Sequence, residues 1–177
     1  MLRSLHLRCI RLHPLLVTKP LQLDGRLLVL FDGHCGLCNR AVRWFLRRDR
    51  HDRLRFAPAS SPALVPILAP LLAASLDVSP ASSFASPESA SALATRTILV
   101  ISNPGQPAKQ ILLRSAAILA LLAELPAPWP AVARTLRIVP RPLRDLVYRL
   151  IARIRYRIWG RYDACPLPTP AERQHFL

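Results

Sequence analysis

The sequence predicts a single α/β domain, and three observations carry that prediction. Apolar runs of strand length recur at 27–31, 54–57 and 97–101. Stretches with helical periodicity lie between and after them. The 177 residues, 51% hydrophobic and 20% charged, suffice for one buried core and exclude wholesale disorder.

Leu27–Phe31 is a continuous apolar run stopped by Asp32-Gly33, the pattern of a buried strand ending in a turn. A helix is expected from about Cys35 to Arg48, with Ala41, Val42, Trp44, Phe45 and Leu46 largely on one face. Leu54, Phe56 and Ala57 alternate with Arg53 and Arg55 before Pro58, which predicts a second strand that is half exposed or at an edge. A proline-broken apolar helix is expected around 62–75, and the Ser/Ala/Pro-rich stretch 79–95 reads as a loop or insert. Thr97–Ile101 is a third strand, Asn103-Pro104-Gly105 a turn, and Lys109–Leu113 a returning fourth strand. Ser115 is the expected N-cap of a helix Ala116–Leu125 that Pro126, Pro128 and Pro130 end. Pro140-Arg141-Pro142 then launches a long amphipathic helix with Leu143, Leu146, Val147, Leu150, Ile151, Ile154 and Ile158 on its apolar face, and Gly160 stops it.

Residues 1–24 form a basic extension with no acid before Asp24, expected to be disordered or an organellar targeting segment, and 25–177 form the domain. The apolar stretches 63–76 and 111–125 are interrupted by prolines or charges, so no membrane span is expected. The chain is read as cytoplasmic and monomeric, or organellar if 1–24 is a transit peptide. Four cysteines are too few for a disulfide-stapled secreted scaffold. Basic residues outnumber acidic ones 25 to 10, a net +15, yet only Lys19 and Lys109 are lysines. So strong an arginine preference, beside 18 prolines, reads partly as coding bias. With 6% aromatic residues and no nucleic-acid motif, no nucleic-acid partner is expected.

The chemistry lies in Asp32-Gly33-His34-Cys35-Gly36-Leu37-Cys38, a Cys-x-x-Cys where a strand turns into a helix. The helix N-terminus offers unpaired N–H groups and a partial positive charge, both of which stabilise a thiolate. Cys35 is therefore the expected exposed, low-pKa nucleophile, and Cys38, one turn on, resolves a mixed disulfide formed at Cys35. Asp32 either caps the turn or helix or takes the proton of Cys38, and His34 is a solvent-facing neighbour. A zinc site lacks a second ligand pair, since Cys9, Cys165 and the histidines are scattered. Covalent haem attachment fails because Asn39, not His, follows Cys38. Inert structural cysteines remain an alternative. No cofactor and no metal are expected.

Asp32-x-x-Cys35-x-x-Cys38 after an apolar strand resembles the DCC family of thiol-disulfide oxidoreductases, a domain of unknown function named after those three residues. The similarity continues in Arg55-Phe56-Ala57-Pro58, Arg114-Ser115-Ala116-Ala117, Ile138 to Asp145, and Arg155 to Cys165, spanning about 27–177. The resemblance implies a thioredoxin-like fold, a central four-stranded mixed sheet flanked by helices with an added C-terminal basic helix. It also implies dithiol-disulfide activity through Cys35 and Cys38 with Asp32 beside them, acting on protein thiols or disulfides and on an unidentified reductant or oxidant. Two departures stand out: 79–95 looks like an insert, and no Thr-Pro or Val-Pro precedes the strand at Thr97.

Nine arginines between Arg134 and Arg161 face the single acid Asp145. The helix there is expected to pack its leucines on the sheet and leave its arginines in water. The alternative is a non-catalytic binding module whose basic helix meets an acidic partner or makes peripheral membrane contact. Cys165 reads as a structural or incidental thiol in a tail able to fold back over the site.

Overall fold

The computed structural model describes residues 25–59, 61, 95–102, 110–166 and 168–177. The extension 1–24, the helix at 62–75, the turn 103–105 and all but the last residue of the 79–95 insert lie outside them. The elements run β1 (Leu27–Phe31), α1 (Gly36–Leu46), β2 (Leu54–Pro58), β3 (Leu99–Ser102), β4 (Gln110–Leu113), α2 (Arg114–Glu124), α3 (Trp129–Ile138), α4 (Arg141–Trp159) and a 3₁₀ turn at Arg173–His175. The four strands form one sheet in the order β2-β1-β3-β4. β1 and β2 are parallel from Leu27 opposite Leu54 to Phe31 opposite Pro58, whereas β3 runs antiparallel to both β1 and β4. This is the mixed four-stranded sheet that the thioredoxin-like resemblance implies.

β1 has neighbours on both sides and all five of its residues are buried, which is why it reads as an unbroken apolar run. β2 is an edge strand, as its alternation predicts. Its free side is partly closed by the chain's last residues, where Phe56 bridges Phe176 and the Leu177 N–H donates to the Phe56 carbonyl at 3.1 Å.

The structure corrects five expectations. β3 begins at Leu99, because the Ile98 N–H donates to Tyr148 Oη at 2.8 Å instead of joining the ladder. Thr95 and Arg96 are helical, so the last residue of the expected loop or insert is not a loop residue. Ser115 is not the N-cap of α2: Leu113 holds that place, and the Ser115 hydroxyl and N–H both donate to Asp145 Oδ1 of α4. α3 departs from the expectation that Pro128 and Pro130 act only as terminators. Pro130 instead sits in the first helical turn, where its missing N–H costs nothing.

The fifth correction concerns α4, whose range matches and whose orientation does not. Leu143, Leu146, Val147, Leu150 and Ile158 face water, and its buried residue is Arg155 at 5% exposure. The inward row is Asp145, Tyr148, Ala152, Arg155 and Trp159, spaced by three and four residues. Several of these carry polar handles: Asp145 takes Ser115, Tyr148 takes Ile98, and Arg155 takes Asp32. Periodicity identified a face, but hydrogen-bond partners decided which face turned inward.

The connection from α1 to β2 is held by two aspartates. Asp49 accepts the Arg53 and Leu54 N–H groups at 2.9 Å each, setting the start of β2. Asp52, at φ 52, pairs with Arg26, Arg55 and His175. The Arg55 hydrogen bonds, then the charges of Arg55, Arg26 and His175, lower the Asp52 carboxyl from the ordinary 3.8 to about 2. A depressed folded-state pKa adds stability above the unfolded value that is lost as pH falls through the folded one. Because the Asp52 side chain is 46% exposed, the contribution should be about 1 kcal/mol or less. Asparagine tolerates the left-handed backbone equally well. Asp52→Asn should therefore lower Tm slightly at pH 6 and flatten the loss of Tm between pH 4 and 2; an unchanged acid slope would remove the cluster from the acid response.

Candidate functional site

Asp32 closes β1 and Cys35 opens α1, so the loop between them is fixed at both ends by regular structure. Cys35 is the N-cap of α1, extended at φ −87 and ψ 122, and its sulfur accepts the Cys38 N–H at 3.4 Å. The helix thus begins at Gly36, one residue later than expected, because the cysteine side chain itself serves as the cap. Asn39 braces the turn by donating to the Gly33 carbonyl at 2.7 Å and the Cys35 carbonyl at 3.0 Å.

Asp32 is 3% exposed. Its Oδ1 accepts the His34 N–H at 3.0 Å, which closes the turn. Its Oδ2 accepts Arg155 Nη2 at 2.9 Å and the Tyr156 hydroxyl. Arg155 Nη2 also donates to the Thr95 carbonyl at 2.6 Å, and Nη1 lies 3.9 Å from Cys38 Sγ. The segment just before β3, where the resemblance led to a missing proline, is therefore tied to the site through Arg155. Arg155 and Tyr156 are the residues lining the candidate site that reading by periodicity missed. Arg155 looked like one more solvent-facing arginine, and only its spacing from Asp145 and Tyr148 on the inward row marks it.

The cysteines are free thiols and sit in opposed environments. A hydrogen bond from the Cys38 side chain, the Cys38 N–H and the charge of Arg155 favour the Cys35 thiolate, against burial and Asp32, and bring it down from 9.0 to about 6. The same sulfur–sulfur hydrogen bond, burial and the neighbouring charge push the Cys38 thiol well up. The two thiols are thus shifted in opposite directions, Cys35 down and Cys38 up. Beside Cys38 lies a cavity of about 100 Å³, walled by Phe31, Val42, Phe45, Phe56 and Ile118, with Arg155 also in its lining.

The expectation that Cys35 is exposed is corrected: its exposure is 0%. The chain after α4 lies across it as a short antiparallel strap, with the Gly36 N–H donating to the Gly160 carbonyl at 3.2 Å and the Tyr162 N–H to the His34 carbonyl at 2.8 Å. Cys35 and Arg161 form the bridge between these bonds. His34 Nδ1 lies 3.1 Å from the Tyr162 carbonyl, so His34 binds the strap as well as meeting solvent. The tail does fold back: a Cβ on Gly33 would stand 2.6 Å from Cys165 Sγ. Burial and then the charge of Asp32 raise the Cys165 thiol, so it stays protonated where Cys35 ionises.

Among the described residues one other group, Asp49, Asp52 and His175, brings potential metal ligands together. Its carboxylate oxygens already accept backbone amides and arginines.

Residues 29–161 match the family model described as DCC1-like thiol-disulfide oxidoreductase. The chain is 30% identical over 156 residues to the uncharacterized protein YuxK of Bacillus subtilis, covering 88% of this chain and 96% of that one. It is 28% identical over 144 residues to a chloroplastic DCC family protein of Arabidopsis thaliana, covering 81% of this chain and 71% of that one. No solved structure matches significantly.

The strap makes a prediction about access. A Cβ on Gly36 would lie 2.1 Å from the Trp159 carbonyl oxygen, a backbone atom that cannot swing aside. Gly36→Ala should displace the strap, costing about 1–3 kcal/mol in stability. Alkylation of Cys35 at pH 7, read site by site by mass spectrometry, should then quicken by about tenfold. An unchanged Cys35 rate would mean that the strap does not limit access.

Proposed function

Because the chain belongs to the DCC1-like thiol-disulfide oxidoreductase family, we propose that it exchanges a disulfide with protein thiols through Cys35 and Cys38. The observation that carries this reading is the opposed pair at the start of α1, one sulfur held as a thiolate by the other and by Arg155.

The Cys35 thiolate attacks one sulfur of a substrate disulfide. A Cys35–substrate S–S bond forms as the substrate's own S–S bond breaks, and the departing sulfur takes up a proton. Cys38 then gives its proton to solvent water and attacks Cys35 Sγ, which forms the Cys35–Cys38 disulfide and frees the second substrate thiol. Two electrons pass from the cysteine pair to the substrate, whose two sulfurs each take a proton from solvent water, one of them replaced by the proton Cys38 released, and the reverse sequence oxidises a substrate dithiol. Once Cys35 is in the mixed disulfide it no longer carries the charge that holds Cys38 protonated, so the resolving thiol is released to ionise at the step that needs it.

Asp32 acts here as a positioning residue. Three donors converge on its carboxylate, and one of them is the arginine that faces Cys38. The protein acts in the cytoplasm or in an organelle, and the chloroplast location in the name of the Arabidopsis relative supports the second.

Equilibration in glutathione buffers, followed by mass spectrometry, should show a two-electron Cys35–Cys38 disulfide, and Cys38→Ser should trap mixed disulfides at Cys35. A chain that stays a dithiol across the whole range would overturn the reading. The charges around the pair make a second prediction. Arg155→Met removes a cation and leaves Asp32 unopposed, so the Cys35 pKa should rise from about 6 by roughly one unit or more. Asp32→Asn removes the opposing anion, so it should fall. Both variants break a buried ion pair and should lose about 3–5 kcal/mol, so their folding is checked by circular dichroism at low temperature. Shifts of the same sign would show that these charges do not set the thiolate. If resolution of the mixed disulfide in Asp32→Asn were slow at pH 6 and recovered by pH 9, Asp32 would be the proton acceptor instead.

A further inference from the structure

The outward side of α4 carries chemistry that thiol exchange does not use. Leu143, Leu146, Val147, Leu150 and Ile158 are 52, 55, 51, 58 and 58% exposed. Leu143, Leu146, Val147 and Leu150 lie at three- and four-residue spacing, and Ile158, about two turns further on, falls on the same side, opposite the inward row of Tyr148, Ala152, Arg155 and Trp159, so they form one stripe along a helix about 28 Å long. At the end of α3, Leu136 and Ile138 are exposed as well. An apolar stripe of this length is unusual on the surface of a monomer.

The charge beside it has one sign. Arg149, Arg153 and Arg157 are all exposed and recur every fourth residue, which places them in a row along one border of the stripe. From Trp129 to Arg161 the single acid is Asp145, and its carboxylate is turned inward onto Ser115. Nothing along this helix neutralises the row.

We propose that the outer face of α4 lies on the surface of an anionic lipid bilayer. The stripe enters the boundary between headgroups and acyl chains, while the guanidinium groups reach from its border to the phosphate level. Among the described residues no helix is long and apolar enough to cross a membrane, so the contact is parallel to the surface. A second copy of the chain would bring two arginine rows together and is repelled. A bilayer meets both rows along their whole length without a matching groove.

The test is sedimentation of the full chain with vesicles of phosphatidylcholine alone or with 30% phosphatidylserine. Partitioning should be at least tenfold greater with phosphatidylserine at 0.1 M salt and fall severalfold at 0.5 M. Leu150→Glu, at an exposed position that leaves the fold intact by circular dichroism, should reduce it at least tenfold, and Arg149→Gln with Arg153→Gln and Arg157→Gln should abolish the preference for the anionic lipid. Binding that survives Leu150→Glu would place the contact elsewhere in the chain and overturn the inference. Equal partitioning to both vesicles, or binding to polyglutamate without binding to vesicles, would overturn it too, the latter in favour of an acidic protein partner. None of these outcomes bears on whether Cys35 and Cys38 exchange.

Discussion

The buried ion pair between Asp32 and Arg155 is the constraint on which the rest of the site depends. Its two side chains are 3% and 6% exposed, and they join the end of β1 to the C-terminal part of α4. Two charges that deep in a protein must satisfy each other and their remaining hydrogen-bonding groups, or the fold pays several kcal/mol. Here the His34 N–H and the Tyr156 hydroxyl are recruited to Asp32 and the Thr95 carbonyl to Arg155, and Arg155 Nε is left buried without a hydrogen-bond partner among the described residues. One pair thereby fixes the turn before the cysteines, the approach to β3 and the rotation of α4. The electrostatics of the thiols are a by-product of that placement, since the cation that satisfies Asp32 is the one that faces Cys38.

The same pair explains how α4 is seated. A helix that buried its leucines would gain more from the hydrophobic effect, yet this one turns a polar row inward and is located by Asp145, Tyr148 and Arg155, each bonded to a different element. Directional bonds of this kind admit one rotation and one register, whereas a leucine stripe tolerates several. Stability is exchanged for uniqueness of placement, and the site needs uniqueness because the strap over Cys35 is the direct continuation of α4.

Most of the sheet and the location of the thiols were legible in the residues. Leu27–Phe31 reads as a buried strand and Asp32-Gly33 as the turn that ends it, so the position of Cys35 near a helix start follows from local pattern. What was not legible depended on contacts distant in sequence. Ser115 has the look of a cap, but Asp145, 30 residues away, claims its hydroxyl. The periodicity of α4 was read correctly and its direction inverted, because hydropathy counts apolar residues and is blind to whether an arginine has a buried carboxylate waiting. The burial of Cys35 is equally invisible, for the strap across it is held by backbone hydrogen bonds of Gly160 and Tyr162, whose side chains say nothing of the pairing. α3 was lost to a rule about proline that holds in the middle of a helix and reverses in its first turn.

The strap over Cys35 separates two properties that usually travel together. A thiol that ionises near pH 6 is a thiolate in any neutral compartment, and exposed thiolates are the sulfurs that peroxides carry through sulfenic acid to the irreversible sulfinic and sulfonic acids. At 0% exposure this sulfur combines a lowered pKa with no surface open to dissolved oxidants while the strap is closed. Wear and turnover are then governed by different motions of the chain. In the exchange proposed for Cys35, damage requires only a gap wide enough for a peroxide, whereas work requires the strap to yield to a polypeptide, and a partner that lifts the strap also occupies the space through which the oxidant would have come.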